Sequence, residues 1–397
     1  SVLTQPASPM LRILSACLSL ATPLFMQAQL DVPWEPLGGG TNQQVQALLR
    51  LSNGNLLMAG QFNFAGTTPC TRVARWDGST YTAMPGFPEH FEIYCAAELN
   101  DTIYVGGRST GELLNNELMK WDGNTWSGQE LGGNVPGITA LFAHDGILYA
   151  SDRFIGIVGG GAMVWRLNST MWELVGQPLS NEVHCIGHFN GQLVCGGSFT
   201  ATSNSAANNI RHIAYLDNNT HTWTQLGDGL NGTVYDLLLD DEVLYATGDM
   251  RSPTASYFGL ARITPEDNVW EPLMPNIGDY VRTPVSGMMA GRAMVERNGE
   301  IYIGGEFLIG DATAQGRGIA VFHGEPDEVE AFGHFEGPVQ AVELFNDHEL
   351  VIGGRSNVYR HIASTDLLTT GITSMAEPSF TLSPNPSSGR ATIQLGG

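Results

Sequence analysis

The chain has 397 residues, 15% of them charged, with 49 glycines, 20 prolines and a formal net charge of −22. That length allows one large domain with small appendages, and the glycine and proline content suits many short strands joined by turns. The acidity argues against a nucleic-acid partner, because phosphate binding needs basic patches.

The N-terminus reads as an export signal over residues 1–28. Arg12 follows Met10, an apolar run extends from Ile13 to Met26, and Gln27-Ala28-Gln29 supplies a small residue for cleavage. Residues 1–9 precede Met10, which leaves open whether they belong to the native product. The apolar run is too short for a comfortable membrane span, and no other stretch of the mature chain reads as one.

From Leu30 onward one phrase recurs: a tight turn, a short apolar strand, then a glycine pair. It is clearest at Asn298-Gly299, Ile301-Tyr302-Ile303 and Gly304-Gly305. Its other turns fall at Asn53, Asn100, Asp145, Asn190, Asp240 and Asn346. Asn and Gly tolerate the positive φ that a two-residue hairpin needs. An alternating phrase such as Val45-Gln46-Ala47-Leu48 precedes each copy. Behind it come an aromatic with a turn, as in Trp76-Asp77-Gly78, and a strand opened by an aromatic, as in Trp126, Trp172, Trp223 and Trp270. Four short strands per period of roughly 40–50 residues predict an all-β fold, a seven-bladed β-propeller of four-stranded antiparallel blades over residues 30–365. The last repeat lacks its fourth strand, while Trp34-Glu35-Pro36-Leu37 stands unclaimed ahead of the first and matches Trp270-Glu271-Pro272-Leu273. An unfinished blade leaves an open strand edge. Trp34–Gly38 is therefore expected to close the ring as the outer strand of blade 7, antiparallel to Val358–Ile362.

The glycine pair ending one strand, the aromatic in the next and the Trp opening the fourth resemble kelch and galactose-oxidase-like propellers over about residues 34–362. Ser151-Asp152 and Thr247-Gly248 depart from the glycine pair, and Tyr81 and Val329 from the opening Trp. Residues 366–378 read as a linker. Phe380-Thr381-Leu382-Ser383-Pro384-Asn385-Pro386 and the alternating Ala391–Leu395 then resemble the start of a type A C-terminal sorting domain of type IX secretion, truncated, over 379–397. That resemblance implies secretion to the medium or the outer surface of a Gram-negative bacterium, with the type IX machinery as a partner through the tail.

Four cysteines remain beyond the signal: Cys70, Cys95, Cys185 and Cys195. Cys185 and Cys195 flank the Asn190-Gly191 turn. They face each other if the loop has three residues and lie on opposite faces if it has two. His184 and His188, four apart on a strand, are expected on one face. No nucleophile elbow, phosphate loop, zinc motif or copper set can be placed, so no catalytic residue, metal or cofactor is assigned. The residue after each glycine pair stands at the rim of the face bearing the variable loops. Arg108, Arg153, Asp249, Glu306 and Arg355 are the candidate ligand-binding residues there. The expected function is a binding or adhesion module for glycan or protein. The alternative is a secreted propeller enzyme acting on glycans, as lyase, hydrolase or oxidoreductase.

Overall fold

The computed structural model describes residues 32–111, 117–131, 135–153, 161–168, 170–202, 205–251, 258–273, 281–282, 290–310, 315–326, 328–368, 380–384 and 391–395. The expected export signal over 1–28 and most of the expected linker over 366–378 lie outside the described residues.

The chain forms seven sheets built on the same order of four antiparallel strands, arranged as a propeller, with no α-helix among the described residues. The inner strands are Val45–Arg50, Phe91–Leu99, Ile138–His144, Val183–Phe189, Thr233–Asp240, Ala290–Arg297 and Val339–Phe345. Each turns into a second strand through a hairpin with at least one residue in the left-handed conformation, as at Asn190 and Gly191 (φ 47° and 75°). These turns lie on one face of the ring. The connections from second to third strand, and from each blade to the next, lie on the other.

The core is divided among the seams. Seven apolar clusters each join the residues of two adjacent blades. Where an aromatic opens the fourth strand, it reaches back to the preceding blade; blade 6 opens with Val329 instead. Trp126 Nε1 donates to Met84 O at 3.3 Å, and Trp270 Nε1 donates to Leu226 O at 3.1 Å. The Tyr81 hydroxyl donates to Leu37 O, so the tyrosine that replaces Trp in blade 1 keeps the contact. Trp223 and Trp34 take the same seat against Gly176 and Gly333, where a Cβ would come within 2.6 and 2.5 Å of the indole nitrogens.

The ring closes as expected. Glu35–Pro36 is the outer strand of blade 7, with Glu35 opposite Ser364 and Pro36 opposite Ala363, and Trp34 packs edge-on to Phe332 of blade 6 at 6.0 Å. The partner strand is corrected: it is Ile362–Asp366, not Val358–Ile362. Arg360 and His361 take positive φ (49° and 68°), and His361 N donates to Ser356 O. Those bonds turn 357–361 back on itself before the strand starts, and they leave Val358 exposed.

The four cysteines are free thiols. The Asn190-Gly191 loop has two residues, with Phe189 opposite Gln192. Cys195 accordingly sits in the seam of blades 3 and 4, and Cys185 in the seam of blades 4 and 5. In the tail, Phe380–Pro384 pairs antiparallel with Ala391–Leu395 as a hairpin.

Candidate functional site

Every inner strand carries a β-bulge at the same place. The register slips at Gln46, Tyr94, Thr139, His184, Tyr235, Arg292 and Gln340, one residue per blade. A bulge adds an unpaired residue and extra twist. The glycine pair on the second strand is its steric counterpart: a Cβ at Gly107 would lie 1.9 Å from Glu92 O, and one at Gly197 would lie 2.2 Å from Glu182 O. The bulges fall in the first half of each inner strand, toward the face bearing the long connections. They form a collar of seven partly exposed residues at the channel mouth.

From blade 2 to blade 4 the collar is joined by a hydrogen-bonded chain. Arg108 Nη2 donates to Glu92 Oε2 at 2.8 Å, and the Tyr94 hydroxyl donates to the same oxygen at 2.8 Å. Arg153 Nη1 donates to the Tyr94 hydroxyl at 3.2 Å, and its Nε donates to Glu182 Oε1 at 3.2 Å. Side-chain exposure of 27–41% leaves these pairs reachable from solvent. Burial, then the Glu92 hydrogen bond, raise the Tyr94 hydroxyl. From blade 4 to blade 6 the collar continues by stacking. The His184 and Tyr235 rings lie 5.1 Å apart, and the Arg292 guanidinium sits 4.0 Å over the Tyr235 ring. Burial lowers the His184 pKa, with Glu182 opposing and Arg292 adding, so its imidazole is neutral near pH 7.

Within the collar the inner strands of all seven blades line a cavity of about 220 Å³. One arc is small and apolar, including Ala47, Leu48, Ala140 and Leu141. The other holds His184, Asp236, Arg292 and Gln340. Asp236 accepts from Met294 N at 2.8 Å and Leu237 N at 2.9 Å, tying blade 5 to blade 6. Burial pushes its carboxyl up to about 7 against those bonds. Glu343 makes the matching tie across the closing seam, accepting from Arg50 N at 3.2 Å. Among the described residues no three His, Cys, Asp or Glu side chains gather as a metal cage.

The structure thus joins two of the five expected residues, Arg108 and Arg153, through Glu92 and Tyr94. Asp249, Glu306 and Arg355 occupy the same register on blades 5, 6 and 7, opposite Thr233, Ala290 and Pro338. His184 and His188 do not share a face. His184 is the bulged residue, and that extra residue reverses the alternation. His184 stacks on Tyr235 of blade 5, whereas His188 stacks on His144 of blade 3 at 4.2 Å. Sequence reasoning missed Glu92, Tyr94, Glu182, Tyr235, Asp236 and Arg292. The glycine pair was the available signal, since it marks where a neighbouring carbonyl presses in.

These features define a seven-bladed β-propeller with a polar, aromatic collar around a partly apolar channel cavity. No protein-family model matches the chain, and no curated protein matches its sequence. A GH74 xyloglucanase from Xanthomonas campestris shares the fold at 14% identity with a TM-score of 0.54; the match covers 85% of this chain and 54% of that one. The computationally designed Ika8 protein aligns at 14% identity over 82% of this chain and 97% of its own, with a TM-score of 0.48.

Proposed function

We propose that this protein is a binding module of the secreted or cell-surface kind, recognising glycan or protein at the collar. The observation that carries the reading is the bulge ring: one backbone geometry repeated on seven blades, holding Gln, Tyr, Thr, His, Tyr, Arg and Gln. Aromatic faces, amides and cations around a concave mouth are the groups that sugars and peptides engage. The glycine pairs and seam tryptophans support a kelch-like ancestry. The Pro384-Asn385-Pro386 sequence and the pairing of Phe380–Pro384 with Ala391–Leu395 support reading the tail as the start of a type IX sorting domain. The xyloglucanase likeness, at 14% identity, carries the fold and no activity. Glycoside hydrolysis uses a pair of carboxylates about 5–10 Å apart, and among the described residues the cavity lining supplies one, Asp236.

A glycan array probed with the purified protein tests the binding role. Arg108→Ala and Arg355→Ala are expected to weaken the captured signal while the melting temperature stays put, since the partly exposed Arg108 ion pair contributes about 0–1 kcal/mol to stability and Arg355 is exposed. Affinity unchanged in both variants counts against the rim. Cell fractionation tests the export: surface-exposed or released product is expected, and product confined to the cytoplasm refutes it.

A further inference from the structure

The cation at the end of the collar has no anion. Carboxylates outnumber Lys and Arg by 40 to 18 in this chain. Its neighbours on the rim are neutralised, Arg108 by Glu92 and Arg153 by Glu182. Arg292 differs. Among the described residues no carboxylate pairs with its guanidinium; its Nε is buried without a hydrogen-bond partner, as Arg108 Nε is, but Arg108 has Glu92 at its Nη2 and Arg292 has no such counter-ion. It is held instead by the Tyr235 ring, 4.0 Å beneath it, and it lines the cavity. Stacking leaves the edge of a guanidinium free, and that edge is the fork that takes a carboxylate by two parallel hydrogen bonds.

Its surroundings narrow the ligand. His184 and Gln340 share the polar arc and offer neutral donors and acceptors. Asp236, the carboxylate of the same cavity, is already engaged by two backbone N–H groups. At about 220 Å³ the cavity is smaller than the roughly 300–1,000 Å³ of pockets for drug-sized ligands, so it admits one small unit. A protein of net charge −22 repels a polyanion, so that unit brings a single negative charge to the mouth. The facing arc of Ala and Leu gives the non-ionic side of a ring a surface to lie against.

We propose that the channel cavity binds the carboxylate of a single acidic sugar unit, a uronate standing alone or ending a neutral chain. Arg292 is its cation, and His184 and Gln340 are its neutral hydrogen-bonding partners. This rests on the binding role proposed above and names the ligand class of that site.

Isothermal titration of the full chain tests it with sodium D-glucuronate, D-glucose and N-acetylglutamate amide. Glucuronate is expected to bind and glucose not to. Arg292→Gln is expected to weaken glucuronate by about ten-fold or more, the loss of one charge-assisted contact, with Arg292→Lys recovering part of it. Silence with glucuronate, equal binding of glucose, or an Arg292→Gln variant of unchanged affinity overturns the proposal. N-acetylglutamate amide binding as well as glucuronate overturns the sugar class. Should Arg292→Gln lower the melting temperature, competition on the wild type decides: acetate must displace glucuronate, and failure to do so overturns carboxylate recognition. A glycan array bound equally by wild type and Arg292→Gln removes this inference and leaves the binding role standing. An array bound by neither removes the glycan-binding role itself.

Discussion

The seams and the bulge ring are both sevenfold, yet they are filled in opposite ways. At the seams one solution recurs: Trp34, Trp126, Trp223 and Trp270 reach back to the preceding blade, and Tyr81 repeats the hydrogen bond where Trp is missing. At the bulges the backbone repeats and the side chains do not. Constant chemistry on constant geometry marks what the ring needs in order to stand. Variable chemistry on constant geometry marks positions that the fold leaves free for another use.

The sharpest way to break that contrast is at the closing seam. Deleting residues 32–40 removes the outer strand of blade 7, Trp34 and the Leu37 carbonyl that Tyr81 engages. Loss of the cooperative thermal transition is expected, because the open edge exposes blades 7 and 1 together. A melting temperature within about 2 °C of wild type, a shift worth about 1–1.5 kcal/mol for a domain of this size, would show that the strand merely decorates the ring. Trp270→Ala acts on an ordinary seam. It empties a buried indole site and removes the Leu226 hydrogen bond. A loss of about 3–5 kcal/mol in denaturant unfolding is expected, against little or none for Gln46→Ala in the bulge ring. Equal effects would erase the distinction between the two sets.

The smallest effect is one of pH. Asp236 titrates near 7 in the folded protein and near ~3.9 in the unfolded chain. Between those values the folded state holds a proton that the unfolded state has released. This group's contribution to stability is therefore largest at low pH and declines as pH rises through 7. Asp152, pushed up to about 6 by burial, acts in the same sense. The difference between wild type and Asp236→Asn isolates the channel group. The rise in melting temperature between pH 8 and pH 5.5 is expected to be smaller in the variant, and an identical rise in both would mean that Asp236 is not the group titrating.

The architecture was legible because its determinants are local. Asn190-Gly191 and Asn298-Gly299 announce their turns through the positive φ they tolerate. The closing strand was legible because Trp34-Glu35-Pro36-Leu37 has a twin at 270–273. The third strand of blade 7 was misplaced by four residues, because a turn made by Arg360 and His361 uses residue types that do not advertise it. The collar was the least legible part. A bulge has no residue preference here, and each one shifts the alternation by a residue. The His184–His188 spacing therefore misled, and Tyr94, Tyr235 and Arg292 were marked only indirectly, by the glycines of the facing strand. Arg108 and Arg153 were singled out because they follow a glycine pair or its replacement, Ser151-Asp152.

The closing strand also sets an order on the making of the molecule. Thr41 Oγ1 and Arg360 O, hydrogen-bonded beside that seam, lie 319 residues apart in the chain. Blades 1 to 6 are each contiguous and can form as they are synthesised, whereas blade 7 must wait for its last strand and then reach back to Glu35–Pro36, made before any other blade. Bringing such distant ends together has an entropic cost that grows only slowly with length, but it cannot be met before the whole length exists. Until Ile362–Asp366 has been added the chain is an open arc with an unpaired strand edge at each end, the state in which it is most exposed to aggregation. A circular permutant carrying residues 32–40 after Asp366 would make every blade contiguous and remove that wait.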